Sequence, residues 1–148
     1  MIIVENFMSL KNQLCFAVYE TASEFNKLYS NALQPFGLTY PQYLVQLALW
    51  EKDGVTVKEI GEILSLGTGT LTPMLTRMEA NGWIRKERSK ADERRVYIYL
   101  QKKAQDEKQA IIKTISNKIQ SCNIELEEYT QLMERLNQLH RKLKERER

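Results

Sequence analysis

The 148-residue chain holds one histidine, His140, and two cysteines, Cys15 and Cys122, 107 positions apart. That inventory excludes a zinc site, whose ligands cluster at short spacings, and it excludes a disulfide framework. Two cysteines in such a chain are expected as thiols. There is no glycine-rich phosphate loop, since Gly67-Thr68-Gly69 has neither the P-loop lysine nor a preceding strand. No apolar run approaches the roughly 18 residues of a membrane span. Met1-Ile2-Ile3-Val4-Glu5 is apolar but lacks a basic n-region and a long h-region, so a cytoplasmic protein without membrane contact is expected. Glycine and proline are absent after residue 82, and from Gln101 onward nothing interrupts a helix.

What remains is a composition of 43% hydrophobic and 28% charged residues, enough to bury one core. The most informative stretch is 56–99. Ile60, Ile63 and Leu64 give one apolar face to a helix from Val57 to about Leu64, with Thr56 as N-cap. Gly61 inside it costs roughly 1 kcal/mol relative to alanine, which implies the close approach of a second helix. That second helix starts near Thr68 or Gly69 and ends before Asn81-Gly82, a pair suited to a left-handed C-terminal cap. Leu71, Met74, Leu75 and Met78 form its core face, while Thr68, Thr70, Thr72, Thr76 and Arg77 lie opposite. Pro73 is expected within about the first turn, where its missing N–H matters least.

Short hydroxyl side chains and a cation on an otherwise apolar helix suit the reading of base edges and phosphates in a major groove. Solvated helix faces more often carry Glu, Lys or Gln, because threonine is a poor interior helix former. Two strands follow, Trp83 to Arg88 and Val96 to Leu100, around the polar tip Ser89 to Arg95. From Trp83 to Arg95 there are six basic and three acidic residues, whereas residues 1–82 hold five and eight. Positive charge thus sits on the hairpin, where Arg85, Lys86, Arg88, Lys90, Arg94 and Arg95 are expected to straddle a phosphate backbone. Arg94 is the candidate for a narrow minor groove, oriented by an ion pair with Asp92. The expected fold is mainly α with a small β wing, a winged helix-turn-helix at about 40–100.

Helices flank this unit. A long one is expected from about Glu5 to Leu33, with Leu10, Leu14, Ala17, Val18, Ala22, Phe25, Leu28, Tyr29 and Ala32 inward, stopped at Pro35. Another runs from Tyr40-Pro41 to about Trp50-Glu51. After the wing, apolar spacing predicts two helices joined near Ser121 to Ile124, the last ending in the charged Lys142 to Arg148. About 5–34 and 101–147 are therefore expected to be dimerisation helices, because they carry more apolar surface than a small winged unit can cover. A homodimer would also place two recognition helices on half-sites of a pseudo-palindromic operator in double-stranded DNA.

With Leu71-Thr72-Pro73-Met74-Leu75 in the second helix and Asp92-Glu93-Arg94 in the wing, the chain resembles the MarR family of dimeric repressors over nearly its whole length. Gln13-Leu14-Cys15-Phe16, Tyr19, Tyr29 and Thr39-Tyr40-Pro41-Gln42-Tyr43-Leu44 resemble its organic-hydroperoxide-sensing, OhrR-like branch. That resemblance implies a repressor that leaves DNA on oxidation, with Cys15 as sensing thiol, Tyr29 and Tyr40 as hydrogen-bonding partners across the dimer interface, and Tyr19 nearby. It further implies Cys122 as the resolving thiol in an intersubunit disulfide. The match departs at Leu66-Gly67-Thr68, where relatives often have Asp-Ser, which puts the cap of the recognition helix in question.

A thiol reacts with peroxide as thiolate, so Cys15 needs neighbours that favour the anion. The helix N-terminus is not expected to help, since Cys15 should lie about ten residues into the first helix; tyrosine hydroxyls are. From residue chemistry alone Cys15 also reads as a small buried hydrophobe, and Cys122 as an exposed helix residue. Two rival functions remain: a MarR-type repressor released by a small aromatic ligand, and a thiol peroxidase with Cys15 as nucleophile. No arginine lies near Cys15 in sequence to activate it, and a peroxidase leaves the basic hairpin unexplained, so no enzyme, metal or cofactor is expected.

Overall fold

The computed structural model describes residues 7–146, so the expected helix start near Glu5 and the chain's last two residues lie outside it. Helix α1 spans Leu14–Leu33, preceded by a 3-10 turn at Leu10–Asn12. The single helix expected from about Glu5 is thus interrupted, because Gln13 is extended (φ −85°, ψ 119°). A 3-10 turn through Pro35 and the left-handed Gly37 stops α1 where proline was expected to.

Helix α2, Tyr40–Glu51, begins with a capping box: the Thr39 hydroxyl accepts from the Gln42 N–H at 3.3 Å, and the Gln42 side chain accepts from the Thr39 N–H at 3.1 Å. Helix α3, Val57–Leu64, has Thr56 as its N-cap, accepting from the Glu59 N–H at 3.1 Å. Helix α4, Thr68–Ala80, buries Leu71, Met74, Leu75 and Met78. A Cβ on Gly61 would lie 2.8 Å from the Leu66 carbonyl oxygen and 3.3 Å from Leu71 Cδ1, which is the close helix approach that the glycine implied. Gly82 is left-handed (φ +85°) and lets the Trp83 N–H reach back to the Met78 carbonyl, closing α4.

The wing is β2, Ile84–Arg88, paired antiparallel with β3, Val96–Leu100, with Lys86 opposite Ile98. A two-residue strand β1, Val55–Thr56, joins the other edge of β3, giving the order β1-β3-β2. Helix α5, Lys102–Gln120, then returns over the body and lies along α1, burying Ala104, Ile111 and Ile115. Leu33, Leu49, Ile60, Leu71, Met78, Trp83, Ile84, Ile98 and Ile111 are at most 1% exposed and form one continuous core. Each large apolar side chain so buried contributes roughly 1.5–3 kcal/mol.

Helix α6, Leu126–Glu145, buries none of its residues. Leu126, Tyr129, Leu132, Met133, Leu136 and Leu143 stand exposed on it. On α1 the inward face expected from the sequence is only partly inward: Ala32 is buried and Phe25, Leu28 and Tyr29 are half-buried, but Leu14, Ala17, Val18 and Ala22 are exposed, as is Leu10 before the helix. The reason is length, since the rest of the chain reaches only the C-terminal part of α1.

Candidate functional site

Two sites emerge, one on the body and one where the body meets the outlying helices. The first is a groove of about 1000 Å³ between α4 and the wing, lined by Thr68, Thr72, Lys86, Arg88, Asp92, Arg94 and Arg95 among the residues singled out from the sequence. Strand alternation puts Lys86 and Arg88 on the groove side. Arg85 faces away: its guanidinium lies 4.4 Å from the centre of the Tyr99 ring and 2.8 Å from Glu87. Its expected place beside the other cations is therefore corrected by the register of β2. Lys90 is exposed at the tip, and Thr70, Pro73, Thr76 and Arg77 are exposed on α4 outside the groove lining.

Pro73 is the sixth residue of α4 rather than in its first turn, so the carbonyl of Gly69 loses an intrahelical donor. Gly67 is the N-cap and supplies no side-chain hydrogen bond, as the loss of the family's carboxylate suggested. The wing tip is ordered by Asp92, which accepts from the Arg94 N–H and Nε, both at 3.1 Å, with Arg95 3.8 Å away. The Arg94 hydrogen bonds hold the Asp92 carboxyl below the usual carboxylate range. Sequence reasoning missed the other lining residues, among them the charged Lys58, Glu59, Glu62 and Glu79. The helical spacing of 58, 59 and 62 was visible; what it faced was not.

The second site is a cleft of about 760 Å³ between α2, α5 and the start of α6. Tyr29 of α1 lines it, with ring centroids 5.0 Å from Tyr40 and 5.8 Å from Tyr43. Tyr129 from α6 also lines it. Burial, then the neighbouring Tyr43, Tyr129 and Tyr40, pushes the Tyr29 phenol up to about 12. Burial likewise pushes Tyr43 up. Both therefore remain protonated donors throughout the range in which a thiol ionises. Of the tyrosines singled out earlier, Tyr29 and Tyr40 are together, whereas Tyr19 is exposed and stacked at 6.4 Å on Phe16. Tyr43 and Tyr129 were missed as site residues, although the spacing of three between Tyr40 and Tyr43 put them on one face.

Cys15 is the second residue of α1, not about ten residues in, because the helix starts at Leu14. It therefore stands inside the first turn of the helix. Its sulfur is exposed and faces Gln13 Oε1 at 4.0 Å. Cys122 is exposed in the turn after α5, its thiol 3.4 Å from the Lys118 carbonyl oxygen. The next residue, Asn123, is left-handed and lines the tyrosine cleft. No cluster of three or more metal-ligating side chains occurs among the described residues. Nor is any helix among them long and apolar enough to cross a membrane.

Residues 27–111 match the family described as transcriptional regulator SarA/Rot. The chain is 55% identical over 92 residues to the HTH-type transcriptional regulator TtmR of Methylorubrum extorquens (strain PA1), covering 62% of this chain and 47% of that one. It is 53% identical over 93 residues to the organic hydroperoxide resistance transcriptional regulator of Bacillus subtilis (strain 168), covering 63% of each. The match thus spans less than two thirds of these relatives' lengths. Among solved structures, AbfR of Staphylococcus epidermidis is 39% identical, with a TM-score of 0.77 and 95% of this chain and 97% of that chain covered. Reduced AbfR bound to DNA superposes with a TM-score of 0.79, and disulfide-formed AbfR with 0.68. Matched over more than half its length, the chain belongs to the SarA/Rot family of transcriptional regulators and has the winged-helix architecture of MarR-type regulators.

Proposed function

We propose that this protein is a homodimeric repressor of transcription that grips a pseudo-palindromic duplex and senses organic hydroperoxide through Cys15. It releases DNA when Cys15 of one subunit forms a disulfide with Cys122 of the partner subunit. In this reading the whole chain is one MarR-type unit, with α4 in the major groove and the wing on the backbone. Thr68, Thr70, Thr72, Pro73, Thr76 and Arg77 on α4, and Lys86, Arg88, Lys90, Asp92, Arg94 and Arg95 on the wing, form the DNA-facing set. Arg85 contributes through the wing's other face and long-range charge. Similarity to AbfR, which has been solved both bound to DNA and in a disulfide form, supports both halves of the proposal.

The observation that carries the sensing half is the separation of the two sulfurs within one chain. Lys118 near the end of α5 reaches Asn31 near the end of α1 at 3.1 Å, so Cys122 lies close to the far end of α1. Cys15 is sixteen residues before Asn31, about 24 Å along the helix axis at ~1.5 Å per residue. A disulfide needs Cα atoms within about 7 Å. Any Cys15–Cys122 bond therefore joins two subunits. The cleft that holds Tyr29 and Tyr40 has the Cys122 turn at its rim, so a partner's Cys15 entering it meets phenol donors and the resolving thiol together. Tyr19, one turn along α1 from Cys15, travels with it.

The chemistry balances simply. The Cys15 thiolate attacks the outer oxygen of the hydroperoxide, the O–O bond breaks, and the alkoxide takes a proton and leaves as alcohol. Cys15 is now a sulfenic acid. The thiol of the partner subunit's Cys122 attacks that sulfur, and hydroxide leaves as water with the thiol proton. One equivalent of oxidant is consumed per disulfide, and a further turnover would need a reductant to reopen it. Closing the bond pulls α1 toward the α5–α6 turn and alters the spacing of the two winged units, which lowers affinity because half-site spacing on B-DNA is fixed.

Titration with cumene hydroperoxide followed by non-reducing electrophoresis, mass spectrometry and gel shift tests this. A covalent dimer that loses DNA, absent in Cys122→Ser, is expected; an overoxidised monomer, or unchanged DNA binding, overturns the disulfide switch. Sustained peroxide consumption with thioredoxin would instead mark an enzyme. The tyrosine-lined cleft also favours a second reading, release by a small aromatic ligand. Loss of DNA with salicylate but not with peroxide, unaltered in Cys15→Ser, identifies that case.

A further inference from the structure

The cation on Lys86 is spent differently from those on the wing tip. Lys86 is half-buried in the middle of β2, and its ammonium donates to the Thr76 hydroxyl on α4 at 2.8 Å. Thr76 in turn donates to the Thr72 carbonyl at 2.9 Å, so its oxygen is fixed in direction. On the main chain, the Lys86 N–H donates to Glu79 Oε2 at 2.7 Å, one helical turn further along α4. Strand β2 is the edge of the sheet, and its outer N–H would otherwise be open; Glu79 closes it. This also explains an acidic side chain in a groove that would otherwise select against negative charge.

We propose that Lys86 is a positioning residue: with Thr76 and Glu79 it latches the wing to the recognition helix and sets the angle of the DNA-facing groove. The inference rests on the DNA-binding reading. A hairpin held only by β3 and its own turn can pivot about its base, and Arg88 and Arg94 would then meet phosphates out of register with base contacts from α4. A latch therefore acts on discrimination between sequences more than on attraction to DNA. A lysine that simply bound a phosphate would act on attraction alone.

The two roles separate experimentally. The probe is the duplex most enriched by the wild-type protein from a randomised pool, compared with a scrambled duplex of the same composition. Thr76→Val keeps the β-branched shape and the Lys86 charge but removes the acceptor; because Thr76 also stands in the DNA-facing set, the double variant below separates a lost latch from a lost direct contact. Losing a hydrogen bond from a charged donor is expected to weaken binding to the selected duplex about tenfold, and to the scrambled one less than about twofold. The salt dependence should be unchanged, and Lys86→Met/Thr76→Val should bind no more weakly than Lys86→Met alone. The latch is overturned if Thr76→Val binds like wild type while Lys86→Met lowers the log–log salt slope by about one. It is equally overturned if the two effects multiply in the double variant. Should the wild type enrich no duplex at all, the DNA-binding reading itself fails and takes this inference with it.

Discussion

The winged body and the outlying helices are built on opposite principles. From Leu38 to Ile111 apolar side chains converge on one core, helix starts are capped by Thr39 and Thr56, and the edge strand is closed by Glu79. In α6 and the first half of α1 the apolar residues are equally regular in sequence, and all but the half-buried Phe16 and Leu139 remain exposed. Periodicity therefore specifies a helix in both regions but says nothing of what the apolar stripe is for. In the proposed homodimer, the stripe that the chain leaves uncovered along α6 is the surface a second copy would cover.

The largest effect is expected from breaking the outlying region. Leu136→Glu places a carboxylate in the middle of the exposed α6 stripe, and two-fold symmetry counts it twice. Losing about 2 kcal/mol of burial per copy should weaken dimerisation roughly a thousandfold. Sedimentation would then show monomers at micromolar concentration with the melting of the body nearly unchanged. A variant that stays dimeric would mean that α6 does not carry the interface.

Gly61→Ala attacks the body instead. The added methyl meets the Leu66 carbonyl oxygen at 2.8 Å, and backbone cannot move aside as a side chain can. Overpacking should outweigh the gain in helix propensity and destabilise by about 1–2 kcal/mol, seen in chemical denaturation with dimerisation unaffected. If the two variants shift both observables together, body and outlying helices form one cooperative unit.

Much of this division was legible in the sequence because it rests on local chemistry. Thr56, Gly61, Asn81-Gly82 and the core face of α4 each state their role within a turn or two. The start of α1 was not legible: apolar spacing runs on through Leu10 and Leu14, and only the extended Gln13 separates them. That break decides the setting of Cys15, placing it in a first turn rather than mid-helix. Strand β1 is two residues long, too short for any period to register. The outward turn of Arg85 could have been read from strand alternation, since Ile84 must face the core. The approach of Tyr129 to Tyr29 could not, because it depends on how the Ser121–Asn123 turn aims α6.

The tyrosine cleft, where the two regions meet, offers a pH test. For Tyr29 the folded value of about 12 exceeds the ordinary phenol value of about 10, so the neutral phenol is favoured by folding. Its contribution is complete below pH 10, and it is lost as pH rises from there through about 12, where the unfolded chain sheds a proton that the folded one keeps. Stability measured against pH should decline more steeply in this window for wild type than for Tyr29→Phe. Comparison with Leu136→Glu sharpens the point: if a partner's α1 caps the cleft, the monomeric variant should ionise Tyr29 at lower pH, followed by absorbance near 295 nm.

The smallest effect is expected at the start of α4, which, unlike those of α2 and α3, has no side-chain cap. Gly67 has backbone angles of φ −76° and ψ 158°, ordinary for a side-chain cap, and a Cβ there would meet nothing within 4 Å. Gly67→Ser should therefore add a hydroxyl acceptor for an open N–H of the first turn and reduce the freedom of the unfolded chain. Together these are worth about 0.5–1 kcal/mol. Heating should show a rise of about 1–4 °C, at roughly 2–4 °C per kcal/mol for a chain of this length. The gain has a cost if the uncapped N–H groups are used by a DNA phosphate, because the serine then competes for them. Stabilisation with unchanged DNA affinity would mean that the missing cap is incidental. Stabilisation with weaker binding would mean that the start of α4 is left open for its ligand.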